Sequence, residues 1–283
     1  MQVIDKEISI VAALVEELCG IVLDESKGYL IESRLGSLAE AHGCNNFTEF
    51  CQKVRHNGDR TLHTRVIDAI TTQETLFFRD NSPFEALQFK IIPDLIDAKA
   101  GTMYSKRIRI WSAASSTGQE MYSIAMTLCE LIPDILKWDV KILGTDISDA
   151  AVKSASLGKY ASHEIQRGMK PGFLKKYFIE GKDGWRIKDE LRYFVSFQRR
   201  NLLEPFTDLG QFDIIFCRNV AIYFDAKTKE KLFHCLTRQL TPNGYLFVGS
   251  SESLADLGPQ FTPQYHCRSI YYQPNKQPAM AKA

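Results

Sequence analysis

"IRIWSAASSTGQEMYSIAM", residues 108–126, decides the architecture. It opens as a buried strand, passes through a turn of small residues and continues as a helix whose apolar face is Met121, Ile124, Ala125 and Leu128. The dinucleotide-binding version of this unit carries three glycines in its turn, two of which let phosphate and helix approach closely. Here Gly118 stands alone among Ala113, Ala114, Ser115 and Ser116. The turn is therefore small enough for a ligand to reach the backbone but lacks the fingerprint of a pyrophosphate cradle.

Outward from this unit the pattern repeats. "VKILGTDIS" (140–148), "FDIIFCRN" (212–219), "YLFVGSS" (245–251, after the turn "TPNG") and "RSIYYQP" (268–274) read as strands, and Leu232, Leu236 and Leu240 mark a helix between two of them. Apolar strands alternating with helices predict a doubly wound α/β domain with a mostly parallel sheet covered on both faces. Residues 8–70 differ: Val11, Leu14, Val15 and Leu18, then Leu30, Ile31, Leu35 and Leu38, follow helical spacing with no convincing strand pair. The expected organisation is a helical domain and linker over 1–85, an α/β domain over 86–274, and a disordered tail over 275–283. "KKYFIEGKDGWRIKDELRYFVSF" (175–197), with Asp183-Gly184 as its turn, is expected to form a small β-hairpin insertion at about 174–198.

Composition excludes several classes of function. The chain has 283 residues, 45% hydrophobic and 24% charged, with a formal net charge of +1, which gives no bulk attraction to nucleic acid or anionic membrane. "MQVIDKEISIV" fits neither a signal nor a transit peptide and no apolar run reaches the length of a bilayer span, so a cytoplasmic protein with no membrane insertion is expected. Seven scattered cysteines, with no C-x-x-C pair, suggest reduced thiols. His42, His56, His63, His163, His234 and His266 show no metal-binding spacing, and no metal site is expected.

The second strand ends in Asp146, the position from which a carboxylate accepts the hydroxyl hydrogens of an adenosine ribose. Gln119-Glu120 puts an acid at the start of the helix, where it repels phosphate and attracts an ammonium group. An adenosine ligand with an amino-acid end, S-adenosylmethionine, fits both. The alternative for Glu120 is a purely local role, favouring the helix N-terminus through the dipole.

"TTQETLFFRD" (71–80), "WSAASSTGQEMYSIAM" (111–126), "GTDIS" (144–148), "NLLEPF" (201–206), "FDIIFCRNVAIYFD" (212–225) and "GYLFVGSSESL" (244–254) closely resemble the chemotaxis receptor methyltransferases, the CheR family. "GIVLDESKGYLIESRL" (20–35) is similar to that family's N-terminal helical domain, and the resemblance spans residues 10–273. It implies a Rossmann-like S-adenosylmethionine-dependent methyltransferase domain preceded by a small all-α domain. The implied activity is methyl transfer to glutamate side chains on the cytoplasmic helical bundle of chemoreceptors, leaving S-adenosylhomocysteine. The resemblance carries over Thr72, Gln73, Thr75 and Arg79 near the reacting centre, Ala113 in the turn, and Gln119 or Glu120 at the methionine end. It also carries over Asp146 at the ribose, and Asn201, Leu202, Asn219 and Val220 along the adenine and methionine. Gln73 stands where the family commonly has Asn.

A carboxylate nucleophile is already ionised at neutral pH, so the chemistry requires no general base. Arg79 is the expected catalytic holder of the incoming glutamate, with Tyr223 on the substrate side; the bland alternatives are an interdomain salt bridge for Arg79 and packing for Tyr223. Lys27 and Arg34 in "SKGYLIESRLGSLAEAHG" (26–43) are balanced by Glu32 and Glu40, a poor match to the basic docking helix that the resemblance implies, whereas "KVRHNGDRTLHTR" (53–65) is denser, with Lys53, Arg55, Arg60 and Arg65 around Asp59. The short "EGKDGWR" (180–186) suggests a member independent of a receptor C-terminal pentapeptide tether, with Trp185 packing the hairpin. A monomer is expected, with a regulatory adaptor protein as a further partner. Two other readings remain open at this stage: a non-catalytic S-adenosylmethionine or S-adenosylhomocysteine binder, and a methyltransferase for another acceptor.

Overall fold

The computed structural model describes residues 1–56, 60–255 and 260–275. Four helices come first: α1 (Asp5–Cys19), α2 (Gly28–Ala41), α3 (Phe47–His56) and α4 (Arg60–Ile70). Their apolar stripes meet in a core of Val11, Leu14, Val15, Ile31, Leu35, Phe47, Phe50, Val54, Leu62 and Val66. Next come α5 (Ser82–Ala86), α6 (Ile92–Lys99), strand β1 (Arg107–Ala113), α7 (Gln119–Leu131), β2 (Asp139–Asp146) and α8 (Asp149–Leu157). The middle of the chain holds β3 (Lys159–Tyr160), α9 (Ser162–Gln166), α10 (Phe173–Tyr177), β4 (Phe178–Gly181), β5 (Gly184–Ile187), α11 (Asp189–Arg192) and β6 (Val195–Arg199). The remainder is β7 (Phe212–Cys217), α12 (Ala226–Gln239), β8 (Leu240–Val248), β9 (Phe261–His266) and β10 (Ser269–Pro274).

The main sheet has the order β6-β2-β1-β7-β8-β10-β9. Its first five strands run parallel, and β10 and β9 add antiparallel at the edge. Alternation along each strand feeds two cores. Ile108, Ile110, Ile214, Phe216 and Phe247 face Phe84, Leu87 and Met121 on one side. Trp111, Ile215, Cys217 and Leu246 face Leu232, Phe233 and Leu236 of α12 on the other. The chain winds outward from β1 through β2 to β6, then returns to place β7 on the opposite side of β1. This reversal opens a crevice at the carboxyl ends of β1 and β7, where open α/β sheets bind ligands.

The structure corrects three sequence expectations. "VSFQR" is not part of the hairpin but is β6, paired in parallel with β2 from Ile142↔Val195 to Asp146↔Arg199. As an edge strand it is half-exposed and lacks the continuous apolar run of a central strand. β9 was not legible either: its Pro263 and exposed side chains suit a sheet edge. The hairpin turn is Lys182-Asp183, closed by the Gly181↔Gly184 pair, and β3 joins β5 to make a three-stranded antiparallel sheet beginning at Lys159. Gly184, at φ 129, packs under β3, where a Cβ would lie 2.5 Å from the Tyr160 carbonyl oxygen.

Phe77, Phe78 and Phe84 belong to the core of the sheet, so the chain passes from the helical core to the α/β core over residues 71–76, earlier than expected. The expected disordered tail lies outside the described residues beyond Asn275. Among the described residues no helix is long and apolar enough to cross a membrane. All seven cysteines are free.

Gly144 on β2 tests the packing beneath the cleft, since an added Cβ would sit 1.9 Å from Met121 Sδ and 2.8 Å from Phe197 Cδ1. G144A is expected to lower stability by about 2 kcal/mol through overpacking, read as a lower urea midpoint at unchanged m-value.

Candidate active site

The turn after β1 shows how one glycine serves where three would stand. Ala114 (φ 63), Ser116 (φ 49) and Gly118 (φ 94) alternate in the left-handed region. Ser115 N–H donates to the Thr145 carbonyl at 2.8 Å and Ser116 N–H to Asp146 Oδ2 at 2.8 Å, so these amides serve the end of β2 instead of an incoming phosphate. Gly118 is a packing glycine: a Cβ there would lie 3.0 Å from Ala155 Cβ and 3.1 Å from Phe197 Cζ. The small-residue turn thus builds the wall of the cleft from Ala114, Ser115 and Ser116.

The cleft measures about 890 Å³ including its open mouth, within the range of small-molecule sites. Both domains line it. Cys19 and Ile21 come from the end of α1 and the segment after it, Thr71 to Thr75 and Arg79 from the interdomain segment, and Arg200 to Leu202 from the loop after β6. Arg218, Asn219, Val220, Tyr223 and Phe224 follow β7.

Asp146 sits buried at the cleft floor, held by Ser148 N–H on Oδ1 at 3.0 Å and Ser116 N–H on Oδ2 at 2.8 Å. Burial pushes its carboxyl above the ordinary aspartate range, against the opposing pull of these donors. Glu120 accepts from Ser112 Oγ at 2.9 Å and pairs with Arg218 Nη1 at 2.8 Å. Arg218 Nη2 pairs with Asp80 Oδ2 at 2.6 Å and donates to the Arg79 carbonyl at 3.1 Å. Two carboxylates around one guanidinium leave this cluster with a net charge of −1.

Gln119 takes a different direction. Its Oε1 accepts from Thr117 Oγ1 at 2.8 Å and its Nε2 donates to Glu164 at 3.4 Å, toward the insertion, so of the pair Gln119-Glu120 it is Glu120 that lines the cleft. Ala113 is buried in the sheet, and its neighbour Ala114 lines the cleft instead. Gln73, Thr75, Arg79, Asn201, Leu202, Asn219, Val220 and Tyr223 all reach it. Ser116 Oγ donates to Gln73 at both its carbonyl and Oε1, at 3.1 and 3.0 Å. Asn201 Nδ2 donates to the Leu18 carbonyl at 3.0 Å, fastening α1 to the α/β domain. Tyr223 lies 37% exposed at the rim, its carbonyl accepting from Val22 N–H at 2.9 Å.

Arg218, Arg200 and the α1 contribution escape sequence reasoning. Arg218 leaves one signal, a charge placed directly after the apolar run of residues 214–217; the Cys19 and Ile21 contacts arise only on folding. Burial pushes the Cys19 thiol up to about 11, which disfavours its thiolate. The same effect holds Cys217 well above its ordinary value.

A crevice at the switch point, an acid at the end of β2 and a turn whose amides are already engaged define a small-molecule cleft of the doubly wound α/β class. Comparison with known proteins supplies the family. Residues 73–267 match the family described as CheR methyltransferase, SAM binding domain, and residues 6–71 match CheR methyltransferase, all-alpha domain. Chemotaxis protein methyltransferase 1 of Pseudomonas aeruginosa is 40% identical over 261 residues, covering 91% of this chain and 93% of that protein. Chemotaxis protein methyltransferase Cher2 of Pseudomonas putida is 40% identical over 91% of this chain and 94% of its own. The Borreliella burgdorferi chemotaxis protein methyltransferase is 39% identical over 88% of each. The chain belongs to the CheR methyltransferase family, and its cofactor is S-adenosylmethionine.

The residues present fit that cofactor. Ser115 Oγ is buried at the cleft wall with no hydrogen-bond partner in the protein, Asp146 lines the cleft, and the Asp80–Arg218–Glu120 cluster has the sign to receive an ammonium group. R218M leaves Glu120 and Asp80 without their shared cation. It is expected to lower stability by about 3 kcal/mol, a drop in the urea midpoint larger than that of an exposed pair such as R186M.

Proposed function

We propose that the chain is a protein-glutamate O-methyltransferase that esterifies glutamate side chains on the cytoplasmic helical bundle of chemoreceptors. One observation carries this reading. Of three arginines lining the cleft, Arg218 pairs with Asp80 and Glu120 and Arg200 with Asp208, whereas Arg79 gives one N–H to the Glu74 carbonyl at 3.2 Å and pairs with no carboxylate among the described residues. A planar guanidinium left over at the cleft suits an incoming carboxylate.

Bound S-adenosylmethionine supplies an electrophilic methyl on a sulfonium. The chain's own residues bind, align and exclude water. Asp146 accepts the ribose hydroxyls, the Glu120 cluster receives the amino-acid end, and Leu202 and Val220 supply the apolar walls beside Asn201 and Asn219. Gln73 and Thr75 border the reacting centre. Arg79 holds the acceptor carboxylate in line with Tyr223 beside it. Because the nucleophile arrives ionised, alignment and partial desolvation carry the catalysis.

Receptor docking is proposed to use the basic side chains of α4 more than that of α2. Arg34 spends its guanidinium on the Ile70 and Thr71 carbonyls and on Thr72 Oγ1, while Arg60 and Arg65 are exposed. The two-residue turn between β4 and β5 supports a member that needs no receptor C-terminal tether. The enzyme is further proposed to be cytoplasmic and monomeric, open to a regulatory adaptor.

Two measurements test this reading. Labelled methyl from S-adenosylmethionine is expected on chemoreceptor cytoplasmic fragments as base-labile ester, equally with and without their C-terminal tails, and R79A is expected to lower kcat/KM about 100-fold. Absence of label despite cofactor binding overturns the acceptor assignment. The second is the pH dependence of S-adenosylhomocysteine affinity. Hydroxyl donors need Asp146 ionised, and its carboxyl stands above the ordinary aspartate range. Affinity should therefore fall as pH drops through that raised value, whereas D146N binds weakly at every pH with that step removed.

A further inference from the structure

The loop from Arg218 to Asp225 brings Asn219, Val220 and Tyr223 to the cleft. Packing fixes only part of its course, through Ala221 and Phe224, which are buried in the core under α12. Behind it lies an open recess lined by Ala221, Ile222, Phe233, Ser251, Glu252 and Ser253, which makes the loop a thin wall between two hollows. Asn219 sits at φ 57. Asparagine tolerates the left-handed region, but tolerance does not hold it there.

What holds it comes from the segment after β8. Glu252 Oε2 accepts from Asn219 N–H at 2.7 Å and from Gly249 N–H at 2.6 Å, and Oε1 accepts from Ile222 N–H at 3.2 Å. One carboxylate thereby satisfies three backbone donors from two separate segments. Gly249 makes room for this meeting: a Cβ there would stand 2.7 Å from both Glu252 Oε2 and Asn219 Nδ2. Glu252 is itself anchored, its N–H donating to the Gly249 carbonyl at 2.9 Å and the nearby Leu254 N–H to Tyr272 Oη at 3.3 Å.

We infer that Glu252 is a positioning residue for the cofactor cleft, its carboxylate holding the backbone of Asn219, Ile222 and Gly249 so that Asn219 and Val220 stand ready before the cofactor arrives. It touches no cofactor and acts through the loop. Without it the loop relaxes into the recess and solvent, and binding must reselect the ordered course, so apparent affinity falls by the fraction of molecules still ordered. The fold of the free protein changes little.

The inference rests on the cofactor lying in the main cleft, and S-adenosylhomocysteine titrated calorimetrically into the full chain reports on both; failure of the wild type to bind overturns the site itself. E252Q keeps the reach but turns an NH2 against a backbone donor, and is expected to weaken binding about tenfold. E252D keeps the charge but withdraws it by one methylene and should lose more than E252Q, about 30-fold. G249A, with Glu252 intact, should reproduce the loss by forcing the segments apart. Far-UV circular dichroism of the unliganded variants is expected to match wild type, with melting lowered by less than the loss of affinity requires. Affinity within twofold of wild type in E252D or G249A overturns the proposal. So does loss in E252Q with full binding in E252D, which would make charge rather than position the cause. If E252D fails to fold, E252Q and G249A decide the matter.

Discussion

Arg218 joins three parts of the molecule that the chain sequence keeps far apart. It stands at the carboxyl end of β7 and grips Glu120 on the first turn of α7 and Asp80 beside the interdomain segment. A buried guanidinium is expensive to desolvate, and pairing with well-packed carboxylates offsets that expense without turning it into a large gain. Its contribution is geometric: the acid of the cleft, the arginine-bearing segment 71–80 and the loop after β7 have to arrive in one arrangement or leave charges unpaired. The excess negative charge of the cluster then gives the cleft a polarity suited to one end of its cofactor.

The central part of this plan was legible in the sequence because it depends on local rules. β1, β2, β7, β8 and β10 are dominated by apolar residues, and the turn after β1 announces itself through residue size. Asp146 was readable from its place at the end of a strand. The edges were not: β6 and β9 are half-wet, so hydrophobic periodicity does not mark them, and β9 even contains a proline. Similarly, Gln119 and Glu120 are one residue apart on a helix, and 100° of rotation separates cleft from insertion in a way spacing alone does not assign. The Cys19 and Ile21 wall comes from tertiary folding across some 180 residues, as the Asn201–Leu18 bond illustrates.

The role of α2 also changes once the chain is folded. Arg34, the single basic residue of α2, is consumed by the carbonyls of Ile70 and Thr71 and by Thr72. Its charge braces the interdomain segment against the helical domain, and the same contact fixes the direction in which Gln73 and Thr75 enter the cleft. A side chain that reads as surface charge is thus part of the scaffold of the site.

The helical domain forms one wall of the cleft rather than riding beside it. Gly20, left-handed at φ 75, nests against Leu203 and Phe224, while Val22 and Leu18 are tied by hydrogen bonds to Tyr223 and Asn201. Ligand occupancy and domain adhesion are therefore linked quantities: free energy gained by filling the cleft is spread over both cores, since neither can depart without opening it.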